Sequence, residues 1–100
     1  MQAEVSLKEK AASGDDAAIL RGRLETDPGD LQARFDLAIA IDAKGGREEA
    51  IGQLLEIVRR DRKWNEEGAR KQLVTLFEAM GPNDPRTIEA RRKLSSILFS

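Results

Sequence analysis

The chain has no cysteine, no histidine and no tyrosine, and these absences remove much of the familiar side-chain chemistry. Without cysteine there is no disulfide, no thiol nucleophile and no zinc–thiolate site. Without histidine the commonest general base and the commonest metal ligand are both missing. Catalysis would have to rely on carboxylates, lysine or hydroxyls. Proline is scarce, at 3 residues, and there is a single tryptophan. Modules that stack nucleic-acid bases use several aromatics, so a nucleic-acid partner is not expected. Long apolar runs are absent too. The longest, such as Leu37 to Ile41, fall far short of the ~20 residues a membrane span needs, and no membrane partner is expected. A chain free of cysteine is compatible with a reducing compartment, and a cytoplasmic location is the expectation.

What is present is charge, unevenly placed. The 100 residues carry 17 Lys/Arg and 18 Asp/Glu, a net charge of −1. Residues 1–58 hold 7 cations and 12 anions, whereas residues 59–100 hold 10 and 6. The basic half contains Arg59, Arg60, Arg62, Lys63, Arg70 and Lys71, and then Arg91, Arg92 and Lys93. Such a half attracts acidic surfaces, or else it is simply a solvated face. At this length one small domain is expected, burying roughly 65% of its unfolded surface.

The apolar residues recur at helical spacing and nowhere at the strand period over a useful length. Ala50, Ile51, Leu54, Leu55 and Val58 form one stripe, and Ala69, Leu73, Leu76, Phe77 and Met80 another. Leu37, Ala38 and Ile41 supply a facing surface, so all of these are expected in the core. Turn residues then divide the chain into about six helices, roughly 2–12, 16–26, 31–44, 47–61, 66–80 and 85–98. Ser13-Gly14-Asp15, Asp27-Pro28-Gly29-Asp30, Gly45-Gly46 and Gly81-Pro82-Asn83-Asp84-Pro85 mark the stops. Asp30, Asn65 and Asp84 are expected as N-caps, and Pro85 suits the first helical position. Trp64 is expected to pack on Ala69 as a hydrophobic staple and to anchor the neighbouring helices.

Carboxylate pairs occur at Asp15/Asp16, Glu48/Glu49 and Glu66/Glu67. Each falls in a first helical turn, where the helix dipole favours negative charge. A catalytic pair needs one acid in an apolar pocket to separate the two pKa values, and no such setting is legible. The paired glycines lack the Lys-Ser/Thr that completes a phosphate loop. No catalytic, cofactor-binding or metal-binding residue is expected, and no enzyme.

The order Leu37-Ala38, Ile41, Gly45, Ala50, Leu54 resembles a tetratricopeptide repeat. In that repeat of about 34 residues, small side chains sit where two helices touch and a glycine turns the chain between them. Residues 31–61 are the best copy. Gly14-Asp15-Asp16-Ala17-Ala18-Ile19 echoes Gly46-Arg47-Glu48-Glu49-Ala50-Ile51 at a spacing of 32, so residues 2–26 read as a worn copy. Residues 66–98 lack the small-residue pattern and read as a divergent capping pair. The resulting expectation is an all-α, short helical-hairpin solenoid in a single domain spanning 1–100, with no sheet.

On the last helix, Ala90, Leu94 and Ile97 share one face and are expected to pack inward. Phe99 lies nearly opposite them, with Ile88, and Leu98 falls between. A terminal aromatic that the fold does not need is a candidate binding anchor. Arg91, Arg92 and Lys93 beside it would steer an acidic partner. Arg91, Arg92, Lys93, Leu98 and Phe99 are thus the candidate partner-binding residues.

A second resemblance is more specific. Leu55-Glu56-Ile57-Val58-Arg59-Arg60-Asp61-Arg62-Lys63-Trp64-Asn65, then Ala69-Arg70-Lys71-Gln72-Leu73, Leu76-Phe77-Glu78, and Ala90-Arg91-Arg92-Lys93-Leu94-Ser95-Ser96-Ile97-Leu98-Phe99 resemble the C-terminal domain of the chaperedoxins, bacterial thioredoxin-fold co-chaperones. The resemblance covers about residues 16–100. It implies a C-terminal fragment of a larger thioredoxin-like protein, binding unfolding clients, the chaperonin or both, with the last helix in chaperonin docking. The redox motif of that family, CxxC, is not in this chain. A structural spacer is the alternative, and more remotely an accessory domain that meets nucleic acid through the basic half.

Overall fold

The structure is a computed structural model that describes residues 15–99. The expected first helix at 2–12, and the glycine stop at Gly14, lie outside the described residues. Among the described residues there are five helices and no strand. They are α1 (Asp15–Thr26), α2 (Leu31–Ala43), α3 (Arg47–Arg60), α4 (Trp64–Met80) and α5 (Pro85–Leu98). The described residues divide into two compact units, with the boundary between residues 50 and 51, within α3.

In the first unit α1 packs on α2. The turn between them is tied by Asp27, whose Oδ1 accepts from Gly29 N–H at 3.1 Å. Asp30 then caps α2, its Oδ1 accepting from Ala33 N–H at 3.0 Å. That bond satisfies one of the amides that a helix start leaves without an internal partner. Leu20, Ala33, Leu37, Ala38, Ile41 and Ala50 are buried. The two alanines of the repeat signature, Ala38 and Ala50, are 1% and 0% exposed. By contrast Ala18 and Ile19, which the sequence echo aligns with Ala50 and Ile51, are exposed.

The two glycines after α2 do different work. Gly45 has φ +93°, a conformation that side chains with a Cβ adopt at a cost. Gly46 lies against the preceding helix: its N–H donates to Ile41 O at 2.9 Å. A Cβ there would stand 2.6 Å from Ile41 Cγ2, too near for either atom to stay where it is. Arg47 reaches back over this turn, with Nε donating to Asp42 Oδ1 at 2.8 Å.

In the second unit α4 packs on α5. Ile51, Leu54, Leu55, Ile57 and Val58 of α3 are buried, as are Ala69, Leu73, Leu76 and Phe77 of α4 and Ala90 and Leu94 of α5. These positions follow the helical spacing seen in the sequence. Gly81 ends α4 at φ +96° and donates its N–H to Phe77 O. Asp84 starts α5, with Pro85 in its first turn.

The start of α4 departs from expectation. Asn65 does not cap a helix from extended backbone. Asn65, Glu66 and Glu67 all lie in the left-handed region, at φ 53°, 54° and 63°, and the right-handed helix resumes after them. Left-handed backbone costs roughly 1–2 kcal/mol per residue with a Cβ, so the contacts around the turn must compensate. Asp61 Oδ1 accepts from Lys63 N–H at 3.2 Å, and Asp61 O accepts from Trp64 N–H at 3.1 Å. Arg70 Nε donates to Glu67 Oε1 at 3.0 Å. Trp64 is half-buried.

Candidate protein-binding site

Helix α5 is held firmly at its start. Asp84 Oδ1 accepts from Arg86 N–H at 2.8 Å, while the Arg86 guanidinium donates to both carboxylate oxygens, at 3.1 and 2.9 Å. These bonds favour the charged carboxylate, the Arg86 side chain most of all, and bring the Asp84 pKa from 3.8 down to about 2. A depressed carboxyl pKa adds stability that is complete above the unfolded value and disappears as pH falls through the folded one. The start of α5 is therefore expected to loosen between about pH 4 and pH 2. An acid titration followed by helical circular dichroism, with Asp84→Asn beside the parent chain, checks this. The variant should melt lower at pH 7 and show a smaller acid-induced change in that window.

The far end of α5 is tied by Arg62, whose Nη1 donates to Leu98 O at 3.1 Å. This bond occupies one of the carbonyls that a helix end leaves open. It also fixes the last turn, and with it Leu98 and Phe99.

Between these two tethers α5 and α4 form a groove of about 550 Å³. Val74, Phe77 and Glu78 of α4 make one wall, with Pro82 at the connection, and Thr87, Arg91, Leu94, Ser95, Leu98 and Phe99 make the other. Phe77 and Leu94 are buried in the floor, Leu98 is half-buried, and Phe99 is 84% exposed. Val74 is 38% exposed. The groove is thus an apolar surface ending in a free aromatic ring.

Thr87 is fully buried in this region, and its Oγ1 has no hydrogen-bond partner among the described residues. A buried hydroxyl left unpaired costs roughly 1–3 kcal/mol. Thr87→Val, which keeps the shape and removes the hydroxyl, is therefore expected to raise stability by about 1 kcal/mol. Urea denaturation of the two proteins measures it, and a loss of stability would mean that the hydroxyl has a partner.

The candidate partner-binding residues do not form one patch. Arg91, Leu98 and Phe99 come together in the groove. Arg92 turns away and pairs with Glu89 at 2.8 Å. Lys93 lies 3.8 Å from the same carboxylate and lines a separate, shallower groove of about 310 Å³, with Gly52, Leu55, Glu56, Arg59, Ser96 and Ile97. In that second groove the cations are already engaged. Arg59 and Arg60 converge on Glu56 at 2.5 and 2.7 Å, and the Arg59 guanidinium holds the Glu56 carboxyl below its usual range. Ile97, expected inward, is only half-buried. Ile88 is 56% exposed.

Val74, Glu78 and Thr87 were not singled out from the sequence. Val74 carried a readable signal, because it is an apolar residue outside the Ala69, Leu73, Leu76, Phe77, Met80 stripe. No group of three or more acidic side chains able to hold a metal ion occurs among the described residues. Among the same residues no helix is long and apolar enough to cross a membrane.

Comparison with known proteins bears on the fold that carries this groove. A family model described as tetratricopeptide repeat matches residues 10–99. The chain is also similar to a protein of Haemophilus influenzae described as an uncharacterized protein, at 28% identity over 99 residues. That match takes in 99% of this chain and 45% of the relative, so the chain spans less than half of the relative's length. No solved structure matches.

Proposed function

This chain belongs to the tetratricopeptide repeat family, and from that premise we propose that it is a protein-binding module whose partner docks on the last helix, with no chemistry of its own. Repeats of this kind serve in general as binding scaffolds, because stacked helix pairs present extended surfaces. The observation that carries the reading is Phe99. It is 84% exposed at the rim of an apolar groove, on a helix end that Arg62 holds in place. A large aromatic held in water by an ordered backbone does little for the fold, and aromatics, phenylalanine included, are enriched at protein interfaces.

The finer reading makes the chain the C-terminal part of a thioredoxin-like co-chaperone that meets the bacterial chaperonin, unfolded clients or both in the cytoplasm. It is supported by the resemblance of the Leu55–Leu73 and Arg91–Phe99 segments to the chaperedoxins. A titration of purified bacterial chaperonin with this chain tests it. Binding is expected for the parent and is expected to disappear for the double variant Leu98→Ser, Phe99→Ser. Absence of binding by the parent would contradict the chaperonin part of this reading.

A further inference from the structure

We infer that the groove between α4 and α5 receives an amphipathic helix of a partner protein, one whose apolar face is flanked by carboxylates on the side that meets α5. The inference rests on the reading of the chain as a protein-binding module and specifies the chemistry of what it binds.

The dimensions come first. From Thr87 to Phe99 the groove follows about 18 Å of α5, three helical turns. A partner helix of the same length places apolar side chains at i, i+3 or i+4, and i+7 along such a surface. The groove's 550 Å³ accommodates several aliphatic side chains. Its apolar lining, with Val74, Phe77, Leu94, Leu98 and Phe99, is what those side chains would exclude from water.

Charge then sets the orientation. Arg91 stands on the α5 wall and Glu78 on the α4 wall, and neither belongs to an ion pair among the described residues. This contrasts with their surroundings. Arg92 and Lys93 are engaged by Glu89, and Arg86 by Asp84. The groove therefore carries one open positive charge along α5 and one open negative charge along α4. An acidic flank laid along α5 meets Arg91, whereas the same flank along α4 meets Glu78 and is repelled. Complementary and opposed charges of this kind fix register and reject the wrong partner. Burial of Arg91 beneath the partner also raises the strength of its pairing, because water no longer screens it.

Two synthetic helical peptides of about three to four turns test the proposal against the whole chain. Both carry leucines at i, i+3 and i+7. One has glutamates along one flank of that face, and the other has lysines in their place. Fluorescence anisotropy reads the affinities. Arg91→Glu, which leaves carboxylates on both walls, is expected to weaken the glutamate peptide roughly tenfold relative to the lysine peptide. Phe99→Ala should weaken both peptides. If neither peptide binds, the proposal is overturned while chaperonin binding stands or falls on its own titration. If Arg91→Glu leaves the ratio of the two affinities unchanged, the charge assignment is wrong and the groove is an apolar surface only. A mass that rises with concentration in sedimentation, with peptide binding lost in parallel, would make a second copy of this chain the occupant and would also overturn it.

Discussion

Leu73→Ala is expected to cost about 2–5 kcal/mol of stability, the largest effect on folding of any substitution considered. Leu73 is 0% exposed in the middle of α4, on the same stripe as Ala69, Leu76 and Phe77. Truncation to alanine forfeits the transfer energy of the removed carbons and leaves a cavity that a closely packed interior closes only in part. The adjacent residue supplies the contrast. Val74 is 38% exposed on the groove wall, and Val74→Ala is expected to change stability by no more than about 0.5 kcal/mol. Guanidinium denaturation of the three proteins decides the point. Similar losses at both positions would mean that α4 is rotated relative to the burial described above.

Much of this fold was legible in the residues because its helix ends are chemically marked. Asp30 and the Asp84-Pro85 pair stand at the starts of α2 and α5, where the amides need acceptors. Gly45-Gly46 stands where the chain must take φ +93° and then pass close to Ile41. Four helix starts, at α1, α2, α3 and α5, accordingly fall within one residue of their expected positions. The start of α4 was not legible in this way. Glutamate has no preference for left-handed backbone, so Glu66 and Glu67 read as ordinary first-turn acids. Only Asn65 carried any hint of the turn, since asparagine tolerates that region better than most residues.

The candidate site was legible at its tip and obscure at its walls. Phe99 stood out because it lay off the apolar face of its own helix. Arg91, Arg92 and Lys93 are consecutive and read as one basic patch, yet consecutive helical residues point about 100° apart. The helix sends Arg91 to one groove, Lys93 to another and Arg92 to Glu89. On the opposite wall Val74 was marked as an apolar residue outside the α4 stripe, but that it shares a groove with Phe77 and Glu78 depends on how α4 and α5 pack, and no local pattern encodes that. Thr87 misleads in the other direction. It is a polar residue that ends fully buried, on the groove wall with Leu94.

Phe99→Ala is expected to weaken partner binding by about 2 kcal/mol or more, roughly 30-fold, without disturbing the fold. The two halves of that expectation come from separate observations. The exposed ring has little buried contact to lose, so truncation removes almost nothing that holds α5 against α4. The backbone bonds that order its position, Phe99 N–H to Ser95 O and Arg62 to Leu98 O, do not involve the ring and survive in the variant. The ring itself is free to enter a partner, and its removal takes away the apolar area that association would bury. The most direct measurement is a thermal melt and a chaperonin titration on the same preparation of Phe99→Ala. An unchanged melting temperature together with a roughly 30-fold weaker affinity is the predicted result. A fall of several degrees in the melt, or an affinity equal to that of the parent chain, would contradict the assignment of Phe99 to a partner.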